Sequence, residues 1–283
     1  MKVDTHQHFW KYNQRDYVWM SAGMDELRKD HLPKDLMPVL KAADVSATVA
    51  IQARQLLEES TWLLDLADQY SFISAVVGWV DLRSERVTEQ LERLSRHRKF
   101  RGVRHVVHDE PDDDFMLRDD FLKGIAQLRR FGLTYDLLLF PRHLRAAHEV
   151  VKRFPEQPFV VDHIAKPHIS AGEMQPWASE LKQLARFENV FCKISGLVTE
   201  ASWNSWSARD FEPYLDVVLN AFGPQRIMIG SDWPVCTLAA TYKSVIDLQT
   251  NYLCRLSTDE QNAIYEKNPI KFYSIDLRVK EAQ

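Results

Sequence analysis

The chain alternates short apolar runs with longer stretches in which apolar residues recur every three or four positions. The short runs predict eight strands, over 1–5, 47–52, 73–80, 102–107, 133–139, 159–164, 190–195 and 226–230. The longer stretches predict helices over 59–70, 85–97, 121–131, 141–154, 176–187 and 211–222. In the first of these, Trp62, Leu63 and Leu66 share one face at helical spacing. Strand followed by helix, repeated at this rhythm, means parallel βαβ units. Eight such units fit a closed (β/α)8 TIM barrel of roughly 250 residues plus extensions. The aromatic-rich segment 9–30 reads as an extended loop after the first strand, lying over the barrel mouth. Residues 258–283 read as a C-terminal helical extension. No Pro/Gly/Ser-rich linker divides the chain, so a single α/β domain over 1–283 is expected.

Composition narrows the class. With 45% apolar and 27% charged residues, the chain is neither disordered nor fibrous. Its formal charge of −4 argues against nucleic acid or an anionic membrane as the main partner. No apolar run approaches the ~18 residues of a membrane helix, and the opening MKVDTHQHFW is too polar for a signal peptide. The cysteines are Cys192, Cys236 and Cys254, an odd number with no C-x-x-C spacing. That argues against a disulfide framework or a thiolate zinc site and suits a reducing compartment. A cytoplasmic protein is expected, with a homodimer as the base-rate assembly.

In a barrel of this kind, function sits at the C-terminal ends of the strands. Polar residues gather there. After strand one, His6 and His8 stand two apart, so their imidazoles can aim at one point, as a metal or a carbonyl oxygen requires. The plainer alternative is two polar residues leaving a strand. After strand eight, Asp232 can bind a metal or take a proton from water, or simply cap the next helix. After strand six, His163 can polarise a carbonyl, or be a structural histidine held by Asp162. Lys166 can neutralise an oxyanion or sit on the surface. Gln52, Arg104, Trp79 and Trp233 are candidates for holding substrate. The acidic run through Asp112, Asp113 and Asp114 reads as a solvated face. Neither a cysteine nucleophile with an adjacent base nor a G-x-S-x-G serine motif occurs.

Six motifs in order along nearly the whole chain carry a resemblance: DTHQHFW (4–10), VGWVDL (77–82), GVRHVVHDEPDDDFM (102–116), VVDHIAKP (160–167), CKISGL (192–197) and GSDWPV (230–235). The set resembles the amidohydrolase superfamily, and within it the amidohydrolase-2 family, in the branch of L-fuconolactone and L-rhamnonolactone hydrolases. The resemblance implies a (β/α)8 barrel that opens a neutral sugar lactone with base-activated water. It implies Asp232 as general base, with His6, His8 and His163 polarising the carbonyl. Metal-dependent relatives also use a histidine after strand five. Here that strand reads LTYDLLLF, with Asp136 at the expected place. The implied zinc site is therefore His6, His8 and Asp232, completed by His163 or water, and hydrolysis without a metal is the alternative. Two other readings stay open: a metal-dependent decarboxylase of the same family, and a barrel that binds a sugar acid without catalysis.

Overall fold

A computed structural model of the chain describes residues 1–276. Eight parallel strands follow one another around the sheet in sequence order. They are β1 (Val3–Gln7), β2 (Ala47–Ile51), β3 (Ile73–Gly78), β4 (Phe100–His105), β5 (Thr134–Leu137), β6 (Phe159–Val161), β7 (Val190–Ile194) and β8 (Ile227–Ile229). The strands are almost wholly buried, as expected for a parallel sheet covered on both faces.

The ring closes between β8 and β1 just past the regular ladder. Asp232 N–H donates to His6 O at 2.7 Å and His8 N–H to Trp233 O at 2.7 Å. Asp4 staples the same seam from inside. Its carboxylate accepts from the Ser231 backbone at 2.9 Å, the Ser231 hydroxyl at 2.6 Å and the Tyr242 hydroxyl at 3.0 Å. The two histidines of the chain's H-x-H motif and its late aspartate are thus brought together by the barrel seam itself.

The outer layer is α1 (Pro33–Ala42), α2 (Leu57–Gln69), α3 (Val87–Ser95), α4 (Asp119–Leu128), α5 (Leu144–Arg153), α6 (Trp177–Leu184), α7 (Leu197–Glu200), α8 (Ala208–Phe222) and α9 (Tyr242–Leu253). Helix α5 shows the principle. Leu144, Ala147, Val150 and Val151 pack inward while Arg145, Glu149 and Lys152 face water. Three helices, α1, the single-turn α7 and α9, escape a reading of periodicity. Helix α1 carries Pro38 in its interior, and α9 buries Gln249 among β-branched residues. The extension contains α10 (Thr258–Asn262), a π-helical turn over Ala263–Lys267, and α11 (Asn268–Tyr273); the rest of the expected extension, 277–283, lies outside the described residues. No helix among the described residues is long and apolar enough to cross a membrane.

Strand six ends earlier than the apolar run suggests. It stops at Val161, and the next residues turn with positive φ at His163 (54°), Ile164 (49°), Ala165 (60°) and Lys166 (48°). A left-handed turn costs about 1–2 kcal/mol per L-residue, so tertiary contacts must hold it. Trp177 Nε1 donates to Ile164 O at 2.6 Å and Lys166 N–H to His163 O at 2.8 Å. Strain concentrated at one strand end marks where function is built.

Candidate active site

Side-chain parity, undecided by sequence, is settled by the barrel. Arg104, Asp136 and Lys193 face its interior with His6 and Asp162, and all five are buried. His105, one residue on from Arg104, points into the helical layer, where it stacks on Phe115 and meets Phe121 edge-on.

His8, His163 and Asp232 line the floor of a cavity of about 700 Å³ that opens at the C-terminal ends of the strands, and the fully buried His6 meets them from directly beneath. Asp232 Oδ1 lies 3.3 Å from His8 Nε2 and 3.8 Å from both His6 Nε2 and His163 Nε2. Asp232 has φ of 58° and follows β8, so its carboxylate turns over the barrel axis toward the three rings.

The partners hold the rings in place. His8 Nδ1 meets Ile51 O at 2.9 Å, and a carbonyl only accepts, so Nδ1 carries the proton and Nε2 presents a lone pair. Arg104 Nη1 lies 3.2 Å from His6 Nε2, and His6 Nδ1 stands between Asp162 Oδ1 at 3.3 Å and Lys193 Nζ at 3.4 Å, so both ring nitrogens are engaged. His163 Nδ1 is hydrogen-bonded to the Ser195 hydroxyl at 2.9 Å. Burial pushes the His6 and His163 imidazoles well below their ordinary value, so both are neutral. Burial pushes Asp232 upward, but the facing imidazoles of His163 and His8 and the Lys166 ammonium outweigh it, and its carboxyl sits below the ordinary range. The site therefore presents an ionised carboxylate facing three imidazoles.

Beneath this floor lies a charge cluster that sequence reading did not assign. Lys193 Nζ is 2.5 Å from Asp136 and 2.9 Å from Asp162, and Arg104 Nη1 is 3.1 Å from Asp162. Tyr273 of α11 donates to Asp136 at 2.9 Å. Asp162 is pushed up by burial but held well below the ordinary range by Lys193, His6 and Arg104. Asp136 goes the other way, raised by burial to about 6. Such a group favours the folded state most below the ordinary carboxylate pKa and loses that contribution as pH rises through about 6. The stability of Asp136→Asn relative to the parent should therefore improve between pH 4 and 7, measured by urea unfolding. A difference that stays flat, or moves the other way, contradicts the assignment.

Other expected contacts fall elsewhere. Gln52 is buried and serves Arg104, accepting from Nη2 at 3.0 Å. Trp79 donates to His105 at 3.3 Å, in the helical layer. Trp233 packs edge-on against Phe9 and His31. None of these three is among the residues lining the cavity, whereas Arg104 and Lys166 are. Alternation places Trp79 in the helical layer, since neighbours at a strand end face opposite layers. Lys166 is ion-paired with Glu200.

Gly196 was legible only as part of a motif. Its φ is 62°, and a Cβ there would lie 2.4 Å from His163 Nδ1. Gly196→Ala should displace the ring and lower kcat by about 10²-fold, the effect of roughly 1 Å misplacement. Steady-state kinetics alongside circular dichroism will separate this from unfolding; undiminished kcat would show that the ring has room to recede.

The donor set suits a divalent cation. His6, His8 and Asp232 bring one ligand atom each within 4.8 Å of one another, as do His6, Asp162 and His163. The His8 lone pair and the Asp232 carboxylate face each other at 3.3 Å, a contact that calls for a cation or proton between them. Imidazole and carboxylate are zinc ligands. Arg104, however, already engages His6 Nε2.

Fold and site together define a hydrolytic TIM-barrel enzyme, and the chain belongs to the amidohydrolase family, whose model matches residues 3–275. Among its relatives, the L-fucono-1,5-lactonase of Burkholderia multivorans is 40% identical over 97% of this chain and 96% of its own length. The L-fucono-1,5-lactonase of Burkholderia ambifaria is 37% identical, with the same coverage. A crystal structure of an amidohydrolase from Burkholderia multivorans with bound zinc superposes with a TM-score of 0.92. It is 40% identical and covers 98% of this chain and 100% of that one.

Proposed function

We propose that the chain hydrolyses a neutral sugar lactone to its aldonic acid, with L-fucono-1,5-lactone or a close 6-deoxy relative such as an L-rhamnonolactone as substrate. The observation that carries the reading is the ionised Asp232 carboxylate facing three imidazoles at the cavity floor. Relatives at 37–40% identity that act on L-fucono-1,5-lactone support it.

Asp232 takes a proton from water as the water oxygen adds to the lactone carbonyl carbon. Arg104, a permanent cation lining the cavity, and the neutral His163 stabilise the carbonyl oxygen as it gains charge. As the ring C–O bond breaks, the proton on Asp232 passes to the departing ring oxygen. Asp162, Lys193 and Arg104 hold the His6 ring in place throughout. A divalent ion held by His6, His8 and Asp232 would supply Lewis-acid polarisation and a more acidic water.

Neutrality of the substrate follows from the cavity's cations. Arg54 is paired with Asp16 at 2.6 Å and Glu59 at 3.3 Å, Lys166 with Glu200, and Arg104 with Asp162. Each cation already has a carboxylate, which suits a polyol better than a dicarboxylate.

The test is a pH-indicator screen over L-fucono-, L-rhamnono-, L-galactono- and D-sugar lactones, with zinc added and after chelation. Turnover of an L-6-deoxy lactone above the D-series is expected. Failure to open any sugar lactone under either condition refutes the reading.

A further inference from the structure

The floor of the cavity is polar, whereas its outer part sets exposed apolar side chains among charged groups that are already ion-paired. Among the described residues, the large apolar side chains left exposed are Met1, Val18, Trp19, Met37 and Leu56. Three of them, Val18 (81% exposed), Trp19 (37%) and Leu56 (40%), line this one cavity. Exposed apolar groups gathered at one place usually mark a contact surface.

The wall is held in place. Arg54 pairs with Asp16 at 2.6 Å and lies 5.6 Å over the Tyr17 ring, pinning the loop residues just before Val18 and Trp19. Trp19 meets Trp10 edge-on at 6.2 Å. The indole N–H of Trp10 is spent on Leu27 O and Lys29 O, and that of Trp203, also on the wall, on Thr199 O. Trp203 therefore offers carbon, not a hydrogen bond, to a bound molecule, and the fully buried Trp10 backs the Trp19 ring from within. A cavity of about 700 Å³ is also of the size that takes drug-sized ligands, roughly 300–1,000 Å³. A single hydroxylated lactone ring seated on the floor leaves this outer space unused.

We propose that the outer wall seats an aliphatic chain, and that the enzyme also hydrolyses alkyl-substituted lactones whose ring sits on the same floor. The proposal rests on the lactonase reading above. The step is the same: water adds to the carbonyl carbon, the ring C–O bond breaks, and the water proton passes by Asp232 to the ring oxygen, giving a hydroxy acid. No co-reactant is required.

The test uses the full chain with δ-lactones bearing propyl, pentyl and heptyl groups on the carbon attached to the ring oxygen, measured beside L-fucono-1,5-lactone. Burying each methylene should raise kcat/KM roughly two- to four-fold until the chain passes the rim. Val18→Ser and Leu56→Ser, both at exposed positions, should flatten that slope and lower the ratio of alkyl-lactone to sugar-lactone kcat/KM. No alkyl-lactone turnover, a flat response to chain length, or an unchanged ratio in both variants overturns the proposal. A wall covered by a second copy of the chain would show as a dimer dissociated by the same variants with a flat chain-length response, and that too overturns it. If sugar lactones are opened and alkyl lactones are not, the inference fails alone; if neither is opened, the lactonase reading fails first.

Discussion

Asp232→Asn lowers kcat by about 10²–10⁴-fold, the share a positioned general base contributes, and leaves the fold intact. The backbone argument for intactness is specific. Asp232 holds φ at 58°, a region that asparagine tolerates at least as well as aspartate, and its main-chain N–H to His6 O is untouched. The amide can still donate to the His8 Nε2 lone pair, so the side chain keeps a partner across the 3.3 Å contact. What is lost is the capacity to accept a proton from water. Because that interaction is made only as the reaction proceeds, kcat and kcat/KM should fall together while KM moves little. Thermal unfolding followed in parallel should show a small change. Should the variant keep most of its turnover, another group activates the water and the role given to Asp232 is withdrawn.

The sequence made the frame of this site legible because strand ends are periodic. His6 and His8, two apart, had to share a side, and the alternation of strand and helix set both at the mouth of a barrel with Asp232 and His163. Two kinds of information were missing. The first was parity near strand ends: Arg104 and His105 are adjacent, yet one faces the reaction space and the other stacks on Phe115. Trp79 follows His105 into the helical layer for the same reason. The second was pairing between distant charges. Asp136 within LTYDLLLF and Lys193 within FCKI are charged residues inside apolar strand runs, which is itself a signal of a buried partner. That they belong to each other, with Tyr273 of the terminal helix as a third member, follows only from barrel closure. The left-handed turn at His163–Lys166 was likewise invisible, since Ile164 in particular has no propensity for it.

Lys193→Met should destabilise the chain by about 3–5 kcal/mol, the range for breaking a buried ion pair from one side. The ammonium is fully buried and stands between Asp136 at 2.5 Å and Asp162 at 2.9 Å. Arg104 retains its 3.1 Å contact to Asp162, so that carboxylate keeps a cation. Asp136 keeps only the Tyr273 hydroxyl, and an uncompensated carboxylate in the barrel interior must either stay charged at high cost or bind a proton. The loss should therefore be smaller at pH 5 than at pH 8, because protonated Asp136 no longer needs the ammonium; urea unfolding at the two values reads this directly. Adding Asp136→Asn to Lys193→Met removes the stranded charge and should restore part of the stability at pH 8, giving a favourable coupling between the two sites. A loss below about 1 kcal/mol, or one indifferent to pH, would mean that water or a shifted Arg104 takes over the role of Lys193. The same variant links stability to chemistry. Asp162 Oδ1 and Lys193 Nζ both stand against His6 Nδ1, at 3.3 Å and 3.4 Å, so a cluster that relaxes when Lys193 is lost also releases the ring that faces Asp232. Turnover in Lys193→Met should fall even under conditions where the chain is fully folded, and Asp136→Asn added to it should recover stability more than rate.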